Sequence, residues 1–170
     1  VKPARLITSS YIYVMRGTPL LLQLMFIFFG LPYMNIVLER ETAAGVAFVL
    51  NYTAYFAEIV RGGLQGIDRG QYEAAKILGM SKKNTFFKIV LPQVIKSILP
   101  AMGNETITLI KDTSLVYILG LGDLLRAGKI AANTLSSMLP FMMVGVIYLA
   151  VIAVLSKTFA LMEKHYSYYE

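Results

Sequence analysis

The chain has no cysteine, a single histidine, and charge on only 15% of its 170 residues. Without cysteine it can form neither a disulfide nor a thiolate metal site, although this leaves the compartment open. His165 stands in the tail, away from other metal-ligating residue types,. No serine or threonine has a histidine partner for nucleophilic catalysis. No phosphate-cradling loop of the G-x-x-x-x-G-K-[S/T] kind occurs, so the chain does not itself hydrolyse ATP. It also lacks internal repeats, low-complexity runs and any sign of a second domain. The first residue is valine and no signal peptide is visible, so a start carrying a targeting or membrane segment is expected to be missing,.

What remains is apolar: 56% of the residues are hydrophobic and the net charge is +6. That composition excludes an ordinary soluble domain and points to a polytopic membrane protein. The basic excess then reads as orientation signal and headgroup contact, not as nucleic-acid affinity. Residues 1–17 carry Lys2, Arg5 and Arg16 and are expected to form a basic juxtamembrane lead. Four spans are expected, over residues 18–38, 42–60, 93–112 and 139–162,. Pro19 suits a first helical turn, and Gly30 and Pro32 are expected to bend or end the first span. Phe26, Phe28 and Phe29 read as lipid- or helix-packing side chains. Arg61-Gly62-Gly63 reads as a flexible hinge where the second span leaves the membrane. The tyrosines at the end favour headgroup level.

Lys and Arg number eleven across the lead, residues 61–92 and the tail, against three (Arg40, Arg126 and Lys129) on the other side. The positive-inside rule therefore predicts both termini and the 61–92 loop in the cytoplasm.

The third span is unusual. Lys96, Asn104, Glu105 and Lys111 are costly in lipid, about 2.5–3.5 kcal/mol for each central charge, so this helix must face protein or water. Glu105, Thr108 and Asp112 share one helical face at i, i+3 and i+7, and Asn51, Tyr55 and Glu58 share one at i, i+4 and i+7,. Two polar stripes on two spans are what a solute path needs. Interhelical hydrogen bonding is the better account of Asn51 and Thr108 taken alone; for the acids Glu105 and Asp112 a functional role is the default.

Between the second and third spans lies a polar, basic island, QYEAAKILGMSKKNTFFKIVLP, over residues 71–92. Asp68 is expected to cap a short helix with Gln71 completing a capping box. Gly79 fits a left-handed helix end, Ser81 a second cap, and Pro92 a stop. Ala75, Leu78, Gly79, Ser81 and Thr85 also fit the spacing of a DNA-binding helix-turn-helix, but the flanking spans would press such a helix against lipid.

Glu73-Ala74-Ala75, Gly79, Ile89, Leu91 and Pro92 resemble the EAA loop of ABC importer permeases. Arg16-Gly17-Thr18-Pro19-Leu20-Leu21, Ala57 to Gly63 and Lys111 to Leu115 resemble the polar amino acid branch of that family (the histidine, glutamine and arginine type). The resemblance implies an all-α membrane bundle, one permease domain over residues 1–170, in a prokaryotic inner or plasma membrane. Permeases of this branch typically have one more span ahead of the basic lead, so a preceding span is expected to be missing. The chain is then non-catalytic and holds no cofactor, with ATP and magnesium bound by a partner ATPase subunit. The resemblance further implies a second permease subunit, an extracytoplasmic solute-binding protein, and ATPase docking through Glu73, Ala74, Ala75, Leu78 and Gly79. The solute would be a polar or basic amino acid. Glu105 is the candidate for its ammonium, with Asn104, Thr108, Asp112, Asn51 and Tyr55 as further contacts. An ion-coupled transporter using Glu105 or Asp112 as a proton relay is the alternative from another class.

Overall fold

A computed structural model describes residues 2–166, without the side chain of residue 2, and every element among the described residues is helical. Tyr168 and Tyr169 of the expected headgroup-level end lie outside the described residues. Helix α1 (Lys2–Gly17) and helix α2 (Leu20–Met25) are separated at Thr18-Pro19, where Pro19 caps α2 in an extended conformation (φ −62°, ψ 137°). Proline disfavours helical geometry in the residue before it, which breaks the helix here. The chain bends by 105° between Pro3–Gly17 and Leu20–Met34. Beyond α2 the coil widens by a residue per turn over Phe26–Gly30, tightens over Leu31–Met34, and stops at left-handed Asn35 (φ 60°).

The expected span over residues 18–38 is thus a shorter helix that turns irregular around Gly30 and Pro32. Nor is the basic lead a mere surface segment. The Tyr11 hydroxyl donates to the Leu50 carbonyl (2.5 Å), so α1 is tied to the middle of the next long helix.

That helix, α3 (Arg40–Gln65), has 26 residues and reaches about 39 Å at 1.5 Å per residue,. Ala43, Ala44 and Ala47 are buried on it, and their small side chains let α2 approach closely, so that Leu20 and Leu24 of α2 form a core with Ile27 and Leu119,. Gly62 and Gly63 do not form the expected hinge, because α3 runs through them. Gly63 is buried at the crossing with the following long helix, where an added Cβ would lie 2.2 Å from Ile98 Cγ2.

Helix α4 (Arg69–Ile77) is followed by a turn and by α5 (Lys82–Thr85), which does not stop. A widened turn at Phe86–Val90 carries it into α6 (Leu91–Asp112), and a tight coil over Thr113–Leu119 completes one 38-residue helix, Lys82–Leu119. Pro92 therefore does not end the island. The widened turn before it accommodates the missing N–H and the ring, which would clash in a regular α-helix.

Helix α7 (Leu124–Leu135) was not expected. Asp123 caps it through the Leu125 and Arg126 amides (both 3.0 Å). It packs on α8 (Leu139–Tyr166) where buried Gly128 meets Val144. Helix α8 also crosses α6, with Gly103 against the ring of Phe159. Only 11% of the apolar window of α8 is buried, which suits a lipid-facing helix. By length and composition α3, Lys82–Leu119 and α8 can cross a membrane, and the bent pair makes a fourth if its halves form one span.

Candidate functional site: a charged cluster between three helices

The break after α1 sets the site. In the last turn of a helix the carbonyls have no partner, and within a bilayer no water supplies one. Here side chains do. Gln23 Nε2 donates to the Met15 carbonyl (2.9 Å), the Thr18 carbonyl (3.2 Å) and Thr18 Oγ1 (2.8 Å). Asn51 Nδ2, from α3, donates to the same Met15 carbonyl and to Gln23 Oε1 (both 3.1 Å). Gln23 and Asn51 are 8% and 4% exposed, so both amide groups are committed to this knot. Asn51, expected on the solute path, has its donors occupied by the break.

Arg16 sits between those two anchored carbonyls in the chain. Its guanidinium lies 5.4 Å from the ring centre of Tyr55, and its Nη1 is 3.5 Å from Glu58 Oε1. Glu58 is held on its other side by Arg61, which donates to both carboxylate oxygens and also to Gln65 (2.6 Å). The Asn51, Tyr55 and Glu58 stripe therefore faces the end of α1, as one helical face should.

The second stripe meets the first through a residue that neither contains. Tyr52, 5% exposed, donates its hydroxyl to Asp112 Oδ2 (2.8 Å) and so links α3 to α6. Glu105, half-buried on α6, lies within electrostatic reach of Asp112 and Arg16. Among the described residues it makes no hydrogen bond or ion pair. Thr108 is turned back on its own helix, donating to the Asn104 carbonyl (3.1 Å), and Asn104 and Lys111 are exposed. The result is a cluster of both signs: Arg16, Glu58 and Arg61 at one end, Asp112 and Glu105 at the other, with Tyr52 and Tyr55 between. Such a set can hold a small zwitterion by its two charged groups.

The island has its own geometry. Asp68 caps α4 through the Gly70 amide (2.6 Å); Gln71 does not complete a capping box, and its side-chain oxygen accepts from Gln93 (3.3 Å). Gly79 is left-handed (φ 70°), with the Gly79 and Met80 amides closing the helix end on Lys76 and Ala75. Glu73, Ala74, Leu78 and Gly79 are exposed, whereas Ala75 is buried and so is absent from the surface it was expected to join. Ile77, unremarked in the sequence, is the most exposed apolar side chain of the island, at 87%.

Residues 1–167 match the protein family described as the inner membrane component of binding-protein-dependent transport systems. The chain is 41% identical over 157 residues to the arginine transport system permease protein ArtQ of Bacillus subtilis, covering 91% of this chain and 72% of that one. It is 40% identical over 140 residues to the L-cystine transport system permease protein TcyB of the same organism (82% and 60%). It is 36% identical over 162 residues to a putative glutamine transport system permease protein of Rickettsia conorii (94% and 74%). A crystal structure of an amino acid ABC transporter with histidines superposes with a TM-score of 0.89 at 40% identity, covering 97% of this chain and 78% of its own. The chain thus spans 60% to 78% of the length of these relatives.

Proposed function

The chain belongs to the family of inner membrane components of binding-protein-dependent transport systems, and on that premise we propose that it forms the solute path of an ATP-driven amino acid importer. This family membership leaves no support for the ion-coupled and DNA-binding readings. The observation that carries the proposal is Glu105: a half-buried carboxylate on a spanning helix, unpartnered within the described chain, facing Asp112, Tyr52 and Arg16. A half-buried carboxylate with no hydrogen bond or ion pair among the described residues suits an α-ammonium or a cationic side chain of the solute as its close counter-charge. The α-carboxylate of the same solute then lies toward Arg16, with Tyr55, Thr108, Asn104 and Asp112 lining the remainder. Two acids against one free guanidinium edge favour a basic amino acid, in keeping with the arginine permease among its relatives.

The partners follow from the same reading. A second permease, a copy of this chain or a sister, completes the path, because four helices enclose little. A solute-binding protein delivers to the outer mouth. ATPase subunits bind ATP and magnesium and grip the exposed face of α4 around Glu73, Ala74, Leu78 and Gly79, with Ile77 added and Ala75 packed behind. The chain sits in a prokaryotic cell membrane with both ends of the described segment and the island in the cytoplasm.

The test is arginine uptake by the reconstituted complex carrying Glu105→Gln. Removing one charge partner from a buried cationic ligand costs about 2–5 kcal/mol. Uptake at the parent rate and affinity would show that the solute is held elsewhere.

A further inference from the structure

The amides of Gln23 and Asn51 do more than satisfy a broken helix. Arg16 follows Met15 directly, and the Met15 carbonyl is the one atom that both amides hold (2.9 Å and 3.1 Å). The backbone on the other side of Arg16 is held as well, since Gln23 also binds the Thr18 carbonyl and hydroxyl, and that hydroxyl donates to the Val14 carbonyl (2.8 Å). The Arg16 backbone is therefore fixed on both sides, by one residue of α2 and one of α3. Its side chain is exposed; among the described residues it pairs with Glu58 and lies over the ring of Tyr55, both on the helix that carries Asn51.

We infer that Gln23 and Asn51 are positioning residues that set the depth and direction of Arg16 in the solute path. This rests on the reading of Arg16 as a solute contact. Side chains of this length hold one geometry only when their backbone is held, and a binding group must be kept within about 0.5 Å of its productive position. Without the knot, the half-buried Met15 and Thr18 carbonyls lose these donors and α1 must shift to find others,. Gln23 thus joins the residues on which solute affinity depends, although its hydrogen bonds go to Met15, Thr18 and Asn51 and not to the charged side chains of the cluster.

The experiment measures arginine affinity by equilibrium binding to the purified permease–ATPase complex in lipid discs, without the binding protein, alongside the thermal midpoint of the same samples. Gln23→Met keeps the length and apolar volume and removes the donors; it should weaken arginine about tenfold or more. Arg16→Ala should weaken it similarly, and the double variant should be no weaker than Arg16→Ala alone, because the knot acts through Arg16. Thr18→Ala removes one contact of the knot and should give a smaller loss of the same kind, which covers failure of Gln23→Met to fold. Losses that multiply in the double variant, or a lowered midpoint with unchanged affinity in the Gln23 and Thr18 variants, would overturn the positioning role and leave the solute site standing. Unchanged affinity in Arg16→Ala would overturn both.

Discussion

Gly63 offers the sharpest test of how the bundle is packed. A Cβ at this position would lie 2.2 Å from Ile98 Cγ2, more than 1 Å inside ordinary contact, and 3.3 Å from Val94 Cγ1, which is only tight. Ile98 cannot simply rotate away, because a β-branched side chain has one strongly preferred rotamer in a helix. Val90, Val94 and Ile98 form a buried cluster with Ile59 and Met102 packed on it, so α3 and α6 would have to separate. Overpacking of this kind costs about 1–3 kcal/mol, and the present overlap belongs at the upper end. The gain in helix propensity from Gly to Ala returns about 1 kcal/mol, which leaves Gly63→Ala about 2 kcal/mol less stable.

Gly62 is the internal control. Nothing approaches its Cβ position within 4 Å, so Gly62→Ala should be neutral or stabilising by up to about 1 kcal/mol,. The assay is unfolding of the purified complex in mixed micelles by increasing detergent denaturant. Ile98→Ala added to Gly63→Ala should recover part of the loss, with a coupling of about 1–2 kcal/mol. If Gly63→Ala were as benign as Gly62→Ala, the close crossing of α3 and α6 would be refuted and the glycine pair would be free to act as a hinge.

Three other outcomes are expected. Gly79→Val forces a β-branched residue to φ near 70°, so uptake and ATPase co-purification should fall while membrane insertion survives; normal assembly would count against docking through this turn,. In intact cells, cysteine at Lys83 should react with impermeant reagents only from the cytoplasm, and cysteine at Lys129 only from outside. The reverse pattern would invert the proposed orientation. Tyr52→Phe removes a hydrogen bond to a carboxylate, and should destabilise the complex by about 1.5–3 kcal/mol in the same denaturation assay; no change would mean that Asp112 finds an equivalent donor,.

The apolar content and the length of the spans made an all-α membrane bundle legible in the sequence, because hydropathy acts over about twenty residues and tolerates local error. What it concealed was local. Pro19 suits a first helical turn and also a break after the preceding helix, and the packing of α1 onto Leu50 and Asn51 fixes the bend there,. Pro92 looks like a stop, yet a single widened turn carries the helix past it. Gly62-Gly63 looks like a hinge because sequence cannot show Ile98 lying across it. Helix α7 was marked by Asp123 ahead of a leucine pair, a cap signal that is weak without knowing that Gly128 packs on α8.

The candidate site was half legible for the same reason. Periodicity along one helix finds residues that share a face, so the stripes of Asn51, Tyr55 and Glu58 and of Glu105, Thr108 and Asp112 could be read directly. It cannot find a residue that reaches from one face to another helix. Tyr52 stands about 100° round α3 from Asn51, off the stripe, yet it is the residue that joins the two stripes,. Arg16 lay in a motif that flags the family, and its contact with Glu58, 42 positions on, depends on a 105° bend. A polar group in a span has few places to go without water, so each one found off a stripe must be tied to something. Asn51 shows the consequence: the stripe identified it as polar and inward-facing, and the broken helix, not the solute, claims both its hydrogens,. Polar residues near a break in a spanning helix are therefore to be assigned first to the orphaned carbonyls, and only those left over, here Arg16, Glu105 and Asp112, remain candidates for a solute contact,.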